Sequence, residues 1–228
     1  MVNVQWLMFN GQCSMRNDIL KYALLVCLAL IGLASCQESD DAPEEFPDWQ
    51  NKNELAFQKI YNDALDSIAQ GKKWMIIRGV YRADVSDVKE TPTDYIVIQV
   101  LKEGPGNVLP MATDTVEIHY QGVLLPSTSS TGGLVFDSSY SGKYEEDVSN
   151  PYKACVGNFI EGFSTALQYM NRGDYYKVYI PYQLAYKGSA SSTIPAYSML
   201  TFYLRLEDFW NKTQGDRPDD LFLDEDSF

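Results

Sequence analysis

The sequence contains a single histidine, His119, among 228 residues. No serine sits in a G-x-S-x-G turn, so nucleophilic triad catalysis lacks both its base and its elbow. Cysteines are few and badly spaced for metal: Cys13, Cys27, Cys36 and Cys155 form no CxxC pair, which argues against a zinc-type cluster. Three of the four fall within the first 36 residues, leaving Cys155 alone in the body of the chain. It is expected as a small buried hydrophobe, and no disulfide framework follows. Positive charge is also in deficit. Lys and Arg number 18 against 31 Asp and Glu, a formal charge of −13 and the wrong sign for nucleic acid. The longest apolar run, Tyr22 to Leu33, is too short to cross about 30 Å of hydrocarbon.

That run has a different meaning when its flanks are included. Arg16 and Lys21 precede it, and Leu33-Ala34-Ser35-Cys36 closes it with small residues, the order of a secretory signal ending in a bacterial lipobox. Cys36 is then the lipidated N-terminus of the mature chain; the alternative is a core segment that ends in cysteine. Residues 1–14 match no part of such a signal, so Met15 is the expected start and residues up to 35 the leader. Residues 36–48 form an acidic tether without an apolar face, expected to be disordered. The acidic run after Cys36 resembles the surface-export signal of Bacteroidetes lipoproteins, and a plain solvated linker explains the same residues. The expected location is the cell envelope, with a lipid anchor in the outer membrane on its periplasmic or surface face.

The body of the chain is rich in aromatics, with 16 Tyr, 10 Phe and 4 Trp. Tyrosine suits half-buried strands and pocket rims, where one end is apolar and the other wet. A helix is predicted over residues 51–70, with Phe57, Ile60, Tyr61, Ala64 and Ile68 on one stripe and Leu65 beside it. This stripe serves either packing within its own domain or dimerisation. Residues 74–80 and 95–101 read as strands, the second apolar on both faces. In the next strand Val116, Ile118 and Tyr120 point inward, while Glu117, His119 and Gln121 point outward, so His119 is expected on the surface. Strands also follow from Leu134 to Ser139, at Tyr176, Val178 and Ile180, and at Leu200, Phe202, Leu204 and Leu206. Loops are expected over residues 126–133, 140–150 and 182–198.

Among the strands stands one short amphipathic helix. Gly157 and Gly162 bracket a turn, and Phe163, Ala166, Leu167 and Met170 then share one helical face. The predicted class is therefore α+β, an antiparallel curved sheet or half-barrel wrapped around this helix, with an N-terminal helical extension over residues 49–94. Residues 211–228 lose periodicity and form an acidic tail expected to be disordered, although Leu221-Phe222-Leu223 is apolar enough to dock.

Seven short motifs follow in one order: Val116-Glu-Ile-His-Tyr-Gln-Gly122, Val135-Phe-Asp-Ser-Ser139, Gly157-Asn-Phe-Ile-Glu-Gly-Phe163, Ile180-Pro181, Leu184-Ala-Tyr186, Ile194-Pro195 and Leu200-Thr-Phe202. Together they resemble an FKBP-type peptidyl-prolyl cis-trans isomerase domain over residues 95–210. The resemblance implies catalysis of X–Pro isomerisation on proline-containing polypeptides, by binding the twisted amide in an aromatic pocket with no covalent intermediate and no cofactor. It implies Asp137, Tyr120, Tyr186 and the Ile160 amide as catalytic groups. Phe136, Tyr152, Phe159, Ile194 and Phe202 would line the pocket, with Phe163 as its floor. A monomer is expected. The alternative is a non-catalytic peptide-binding or chaperone module using the same groove. The sequence departs from the family at several places: Phe163 stands where many members carry tryptophan, Lys187 interrupts the usual Ala-Tyr-Gly, and Thr193 replaces a common aliphatic residue. The loop over residues 140–150 also lacks the arginine that often pairs with the aspartate, so Tyr120 is a candidate donor to Asp137.

Overall fold

The computed structural model describes residues 44–82, 89–145 and 148–210. The expected leader, Cys36, most of the expected tether and the expected acidic tail lie outside the described residues. The elements are α1 (Trp49–Ala69), β1 (Trp74–Arg78), β2 (Tyr95–Lys102), β3 (Thr115–Val123), β4 (Val135–Ser138), β5 (Tyr152–Cys155), α2 (Glu161–Leu167), β6 (Tyr175–Ile180) and β7 (Leu200–Trp210). All seven strands join one antiparallel sheet in the order β1-β2-β6-β7-β3-β4. β5 pairs with Thr115 to Ile118 of β3, so β4 and β5 share one edge of that strand in succession.

The strand period of two sorts the side chains by face. Ile96, Ile98, Val116, Ile118, Val178, Ile180, Leu204 and Leu206 are fully buried with Ala166 and Leu167 of α2 and with Met170, which lies beyond the end of the helix rather than on it as its spacing predicts. The chain can lie this close because Gly162 has no side chain: a Cβ there would sit 2.3 Å from Ile180 Cγ2. Ser164, itself buried, donates to the Val156 carbonyl at 2.7 Å and fixes the preceding turn to the helix. The apolar face of α2 thus packs against one face of the sheet.

The opposite face is covered as well. α1 packs on it through Phe57 and Ala64, which enclose Val97 and Met199. This explains why β2 reads as apolar on both faces. Two long-range hydrogen bonds lock the helix down: Trp49 Nε1 donates to Ser198 Oγ at 2.8 Å, and Met199 N donates to Asn53 Oδ1 at 2.8 Å. The stripe of α1 therefore serves packing within its own domain. It is shifted from the sequence expectation, since the helix starts at Trp49, and Ile68 is 41% exposed rather than buried.

Three further expectations change. His119 is not a surface residue; it is 3% exposed, because Tyr140 and Tyr144 of the following loop fold back over it with ring centroids at 6.5 and 5.0 Å. Cys155 is only half-buried, its thiol 3.3 Å from the Ala112 carbonyl. The tether is docked at its end: Glu45 Oε1 accepts hydrogen bonds from Ser127 Oγ at 2.5 Å, Ser129 Oγ at 2.7 Å and Ser129 N at 3.2 Å. A loop three strands further along the chain supplies those donors, which the composition of residues 36–48 does not reveal.

Candidate functional site

An apolar-walled cavity of about 290 Å³ opens between β4 and the loop from Tyr186 to Ile194. Phe136 and Asp137 line it from β4; Tyr186, Ser191, Thr193 and Ile194 line it from the loop. The loop is shaped locally. Ser191 N donates to the Ile194 carbonyl at 2.8 Å, and Ile194 N donates back to Ser191 Oγ at 3.1 Å. Lys187, which stands where the glycine is expected, takes φ +57°, the left-handed conformation that glycine adopts without penalty. The departure in sequence therefore leaves the backbone path available, at a cost of about 1 kcal/mol.

Behind the cavity the rings run on as one cluster. Phe136 meets Phe202 edge-on at 5.5 Å, Phe202 meets Phe163 at 4.8 Å, and Phe163 meets Tyr120 at 5.8 Å. Tyr152 continues it, 5.9 Å from Tyr120 and 6.3 Å from Phe159. The rings come together because β3 and β7 each present an inward position, Tyr120 and Phe202, beside the first turn of α2. Gly122 makes the space: a Cβ there would lie 2.5 Å from Phe136 Cζ and 2.8 Å from Phe202 Cε1. Phe163 is 3% exposed, and Phe159 stacks on it with centroids 4.6 Å apart. Phe163, the expected floor, is thus buried in the ring cluster under Phe159 and is not among the residues that line the cavity.

The polar groups converge on the same place. Tyr120 donates its hydroxyl proton to Asp137 Oδ2 at 2.9 Å. Burial, and then that carboxylate, raise the Tyr120 hydroxyl above its ordinary pKa, so it stays a donor at neutral pH. Tyr186 is raised too, by burial first and by the charge of Asp137 second. Ile160 precedes α2 in extended conformation (φ −58°, ψ 151°) and accepts from the Phe163 and Ser164 amides. Its own N–H makes no backbone hydrogen bond among the described residues, and stands beside Phe159 at the edge of the ring cluster. His119, by contrast, lies on the far face of the sheet, and burial lowers its pKa from the ordinary 6.5.

Of the ten residues singled out, Phe136, Asp137, Tyr186 and Ile194 line the cavity; Tyr120, Tyr152, Phe159, Phe163 and Phe202 belong to the ring cluster that Phe136 joins, and Ile160 follows Phe159 in the chain. The sequence reasoning did not single out Ser189, Ala190 or Ser191 as lining residues. They sit in a run of small polar residues whose only signal was loop composition. The chemistry available is limited. The cavity holds one carboxylate, tyrosine and serine hydroxyls and apolar walls, with the one imidazole of the chain out of reach. Among the described residues no group of three or more His, Cys, Asp or Glu could hold a metal ion. Such a site suits binding and conformational strain rather than bond cleavage.

Residues 106–207 match the family described as FKBP-type peptidyl-prolyl cis-trans isomerase. The chain is 32% identical over 154 residues to an FKBP-type peptidyl-prolyl cis-trans isomerase FkpA of Aeromonas hydrophila, covering 68% of this chain and 51% of that protein. It is 35% identical over 112 residues to a macrophage infectivity potentiator of Trypanosoma cruzi, covering 49% and 51%. The chain thus spans about half the length of these relatives. A crystal structure of a peptidyl-prolyl cis-trans isomerase from Pseudomonas syringae aligns at 24% identity and a TM-score of 0.45, over 70% of this chain and 95% of that one.

Proposed function

We propose that this chain, whose residues 106–207 belong to the FKBP-type peptidyl-prolyl cis-trans isomerase family, catalyses rotation about X–Pro bonds in folding polypeptides. The observation that carries the proposal is the hydrogen bond of Tyr120, a member of the ring cluster, to Asp137, which lines the cavity beside Phe136, Tyr186 and Ile194. A peptide bond resists twisting by about 18–20 kcal/mol because of resonance. X–Pro bonds populate both isomers but exchange over tens of seconds or longer. No covalent bond breaks, so no nucleophile is required. A site that binds the twisted amide better than either planar form lowers the barrier, at about 1.4 kcal/mol per tenfold in rate.

The residues divide this work. Phe136, Phe163, Phe202 and Tyr152 enclose the prolyl ring, and Ile194 closes the loop side. The twisted carbonyl loses conjugation and polarity, so an apolar wall solvates it better than water does. The Ile160 amide and the Tyr186 hydroxyl donate to substrate carbonyls and hold the chain on either side of the bond. Asp137 keeps the Tyr120 hydroxyl oriented. The proposal extends to a monomeric lipoprotein anchored through Cys36 in the cell envelope, supported by the lipobox-like Leu33-Ala34-Ser35-Cys36. Among the described residues no helix is long and apolar enough to cross a membrane.

One observation favours a second reading, peptide binding without turnover: Phe159 stacks on Phe163 and narrows the floor. A protease-coupled assay on a proline-containing tetrapeptide separates the two. Acceleration that is reduced by Phe136→Ala supports the isomerase. Saturable binding of a proline-mimicking macrolide without acceleration overturns it in favour of the binding module.

A further inference from the structure

A second cavity, of about 350 Å³, adjoins the first and shares Ser191, Thr193 and Ile194 with it. Its remaining walls come from outside the ring cluster: Leu134 just before β4, Pro195 of the loop, and Phe46 and Glu45 of the segment leading into α1. The two cavities thus have one wall in common, the loop segment that carries Ser191, Thr193 and Ile194. Leu134 of the second cavity is 40% exposed, an apolar contact for a passing side chain.

The charge lining the two cavities is of one sign. Asp137 lines the first and Glu45 the second, and no Lys or Arg lines either. The carboxylate of Glu45 is also unequally used. All three of its hydrogen bonds, from Ser127 Oγ, Ser129 Oγ and Ser129 N, arrive at Oε1. Oε2 accepts none among the described residues. Those donors hold the carboxyl below its ordinary pKa, so it is ionised throughout the neutral range. One oxygen fixes the side chain to the loop, and the other is left for an incoming cation.

We propose that the two cavities are one binding groove for an extended polypeptide, with the proline at Phe136 and a lysine or arginine of the same segment paired with Glu45 Oε2. This rests on the isomerase reading of the first cavity and adds a substrate class to it: X–Pro segments flanked by a basic residue. Glu45 acts as a specificity determinant and takes no part in the rotation itself. Leu134 and Phe46 line the second cavity together with Glu45, so the segment that fits best carries an aliphatic or aromatic residue close to its basic residue.

The test is a peptide series that walks a single lysine, or a single glutamate, along both flanks of one proline. At the favoured position the lysine peptide is expected to have a kcat/KM about threefold higher than its glutamate counterpart, the size of a solvent-screened ion pair. The ratio should shrink as salt is raised, because an exposed pair is screened. Glu45→Gln keeps an acceptor oxygen for the serines, so the segment stays docked while the ratio falls to one. Glu44→Gln, at a residue held to Thr128 through its carbonyl, should leave the ratio as it was. Turnover without charge preference at any position, or a preference that survives Glu45→Gln, overturns the groove. Binding of the same labelled peptides is read in parallel by fluorescence anisotropy. If no peptide is turned over, yet lysine peptides bind more tightly in a Glu45-dependent way, the isomerase reading falls and the groove stands.

Discussion

Placing a methyl group on Gly122 should damage the site more than the fold. The new Cβ would lie 2.5 Å from Phe136 Cζ, 2.8 Å from Phe202 Cε1 and 2.9 Å from Phe136 Cε2. All three are closer than carbon atoms pack, so a ring has to give way. Phe202 is 5% exposed and pinned by Phe163 at 4.8 Å, leaving it no room. Phe136 is only half-buried, on a four-residue strand, and is the ring that yields. Overpacking of this kind costs about 1–3 kcal/mol, and the yielding neighbour argues for about 1–2. In a domain of this size that lowers the melting temperature by about 2–8 °C. Displacing a wall of the prolyl site is expected to reduce kcat/KM about tenfold, the loss of about 1.4 kcal/mol of transition-state binding. Thermal unfolding and the protease-coupled assay measure both quantities on Gly122→Ala, with Gly132→Ala as control because a Cβ there meets nothing within 4 Å. A variant that loses stability while keeping full turnover would show that Phe136 is not part of the working site. Unchanged stability and turnover would contradict the ring packing itself.

Removing the Tyr120 hydroxyl with Tyr120→Phe should cost stability only about 0.5–1.5 kcal/mol, since Asp137 is exposed and water replaces the donor. The same variant should reduce kcat, and an unaltered kcat would remove the Tyr120–Asp137 bond from the mechanism. The buried His119 predicts a pH dependence of stability. Burial, assisted by Arg205 and opposed by Glu207, holds its pKa below the ordinary 6.5, so the unfolded chain takes up the proton first. Stability should therefore fall as pH drops below about 6.5, and His119→Phe should flatten that slope between about pH 7.5 and 5.5. Parallel melting-temperature profiles for variant and parent would contradict this account.

The inward faces of β3, β6 and β7 were legible because each strand alternates and one side of the sheet receives α2. Tyr120 and Phe202 could be placed on that side before any coordinates. His119 was misplaced by the same rule, because alternation says which way a residue points and not what later folds over it. Tyr140 and Tyr144 come from a polar loop whose sequence gives no sign of folding back. Trp49 and Asn53 of α1 find their partners at Ser198 and Met199, across 149 and 146 residues. Nothing local encodes such contacts. Glu45 was taken for part of a solvated tether for the same reason: its serine partners lie beyond β3. The site residues were legible through ordered motifs, whereas the second cavity is built from loop ends and a terminal segment that carry no periodicity.

The position of β2 bears on how this protein can be cut. The stretch that matches the family runs from residue 106 to 207 and omits the strand that pairs with β6 on one side and β1 on the other. A fragment trimmed to that stretch would leave β6 as a raw sheet margin, with unpaired backbone groups and the apolar flank of Met199 in water. Margins of that kind recruit strands from neighbouring molecules. The smallest soluble unit should therefore begin before α1, near Glu44, and any excised version that starts later is expected to aggregate rather than merely lose activity.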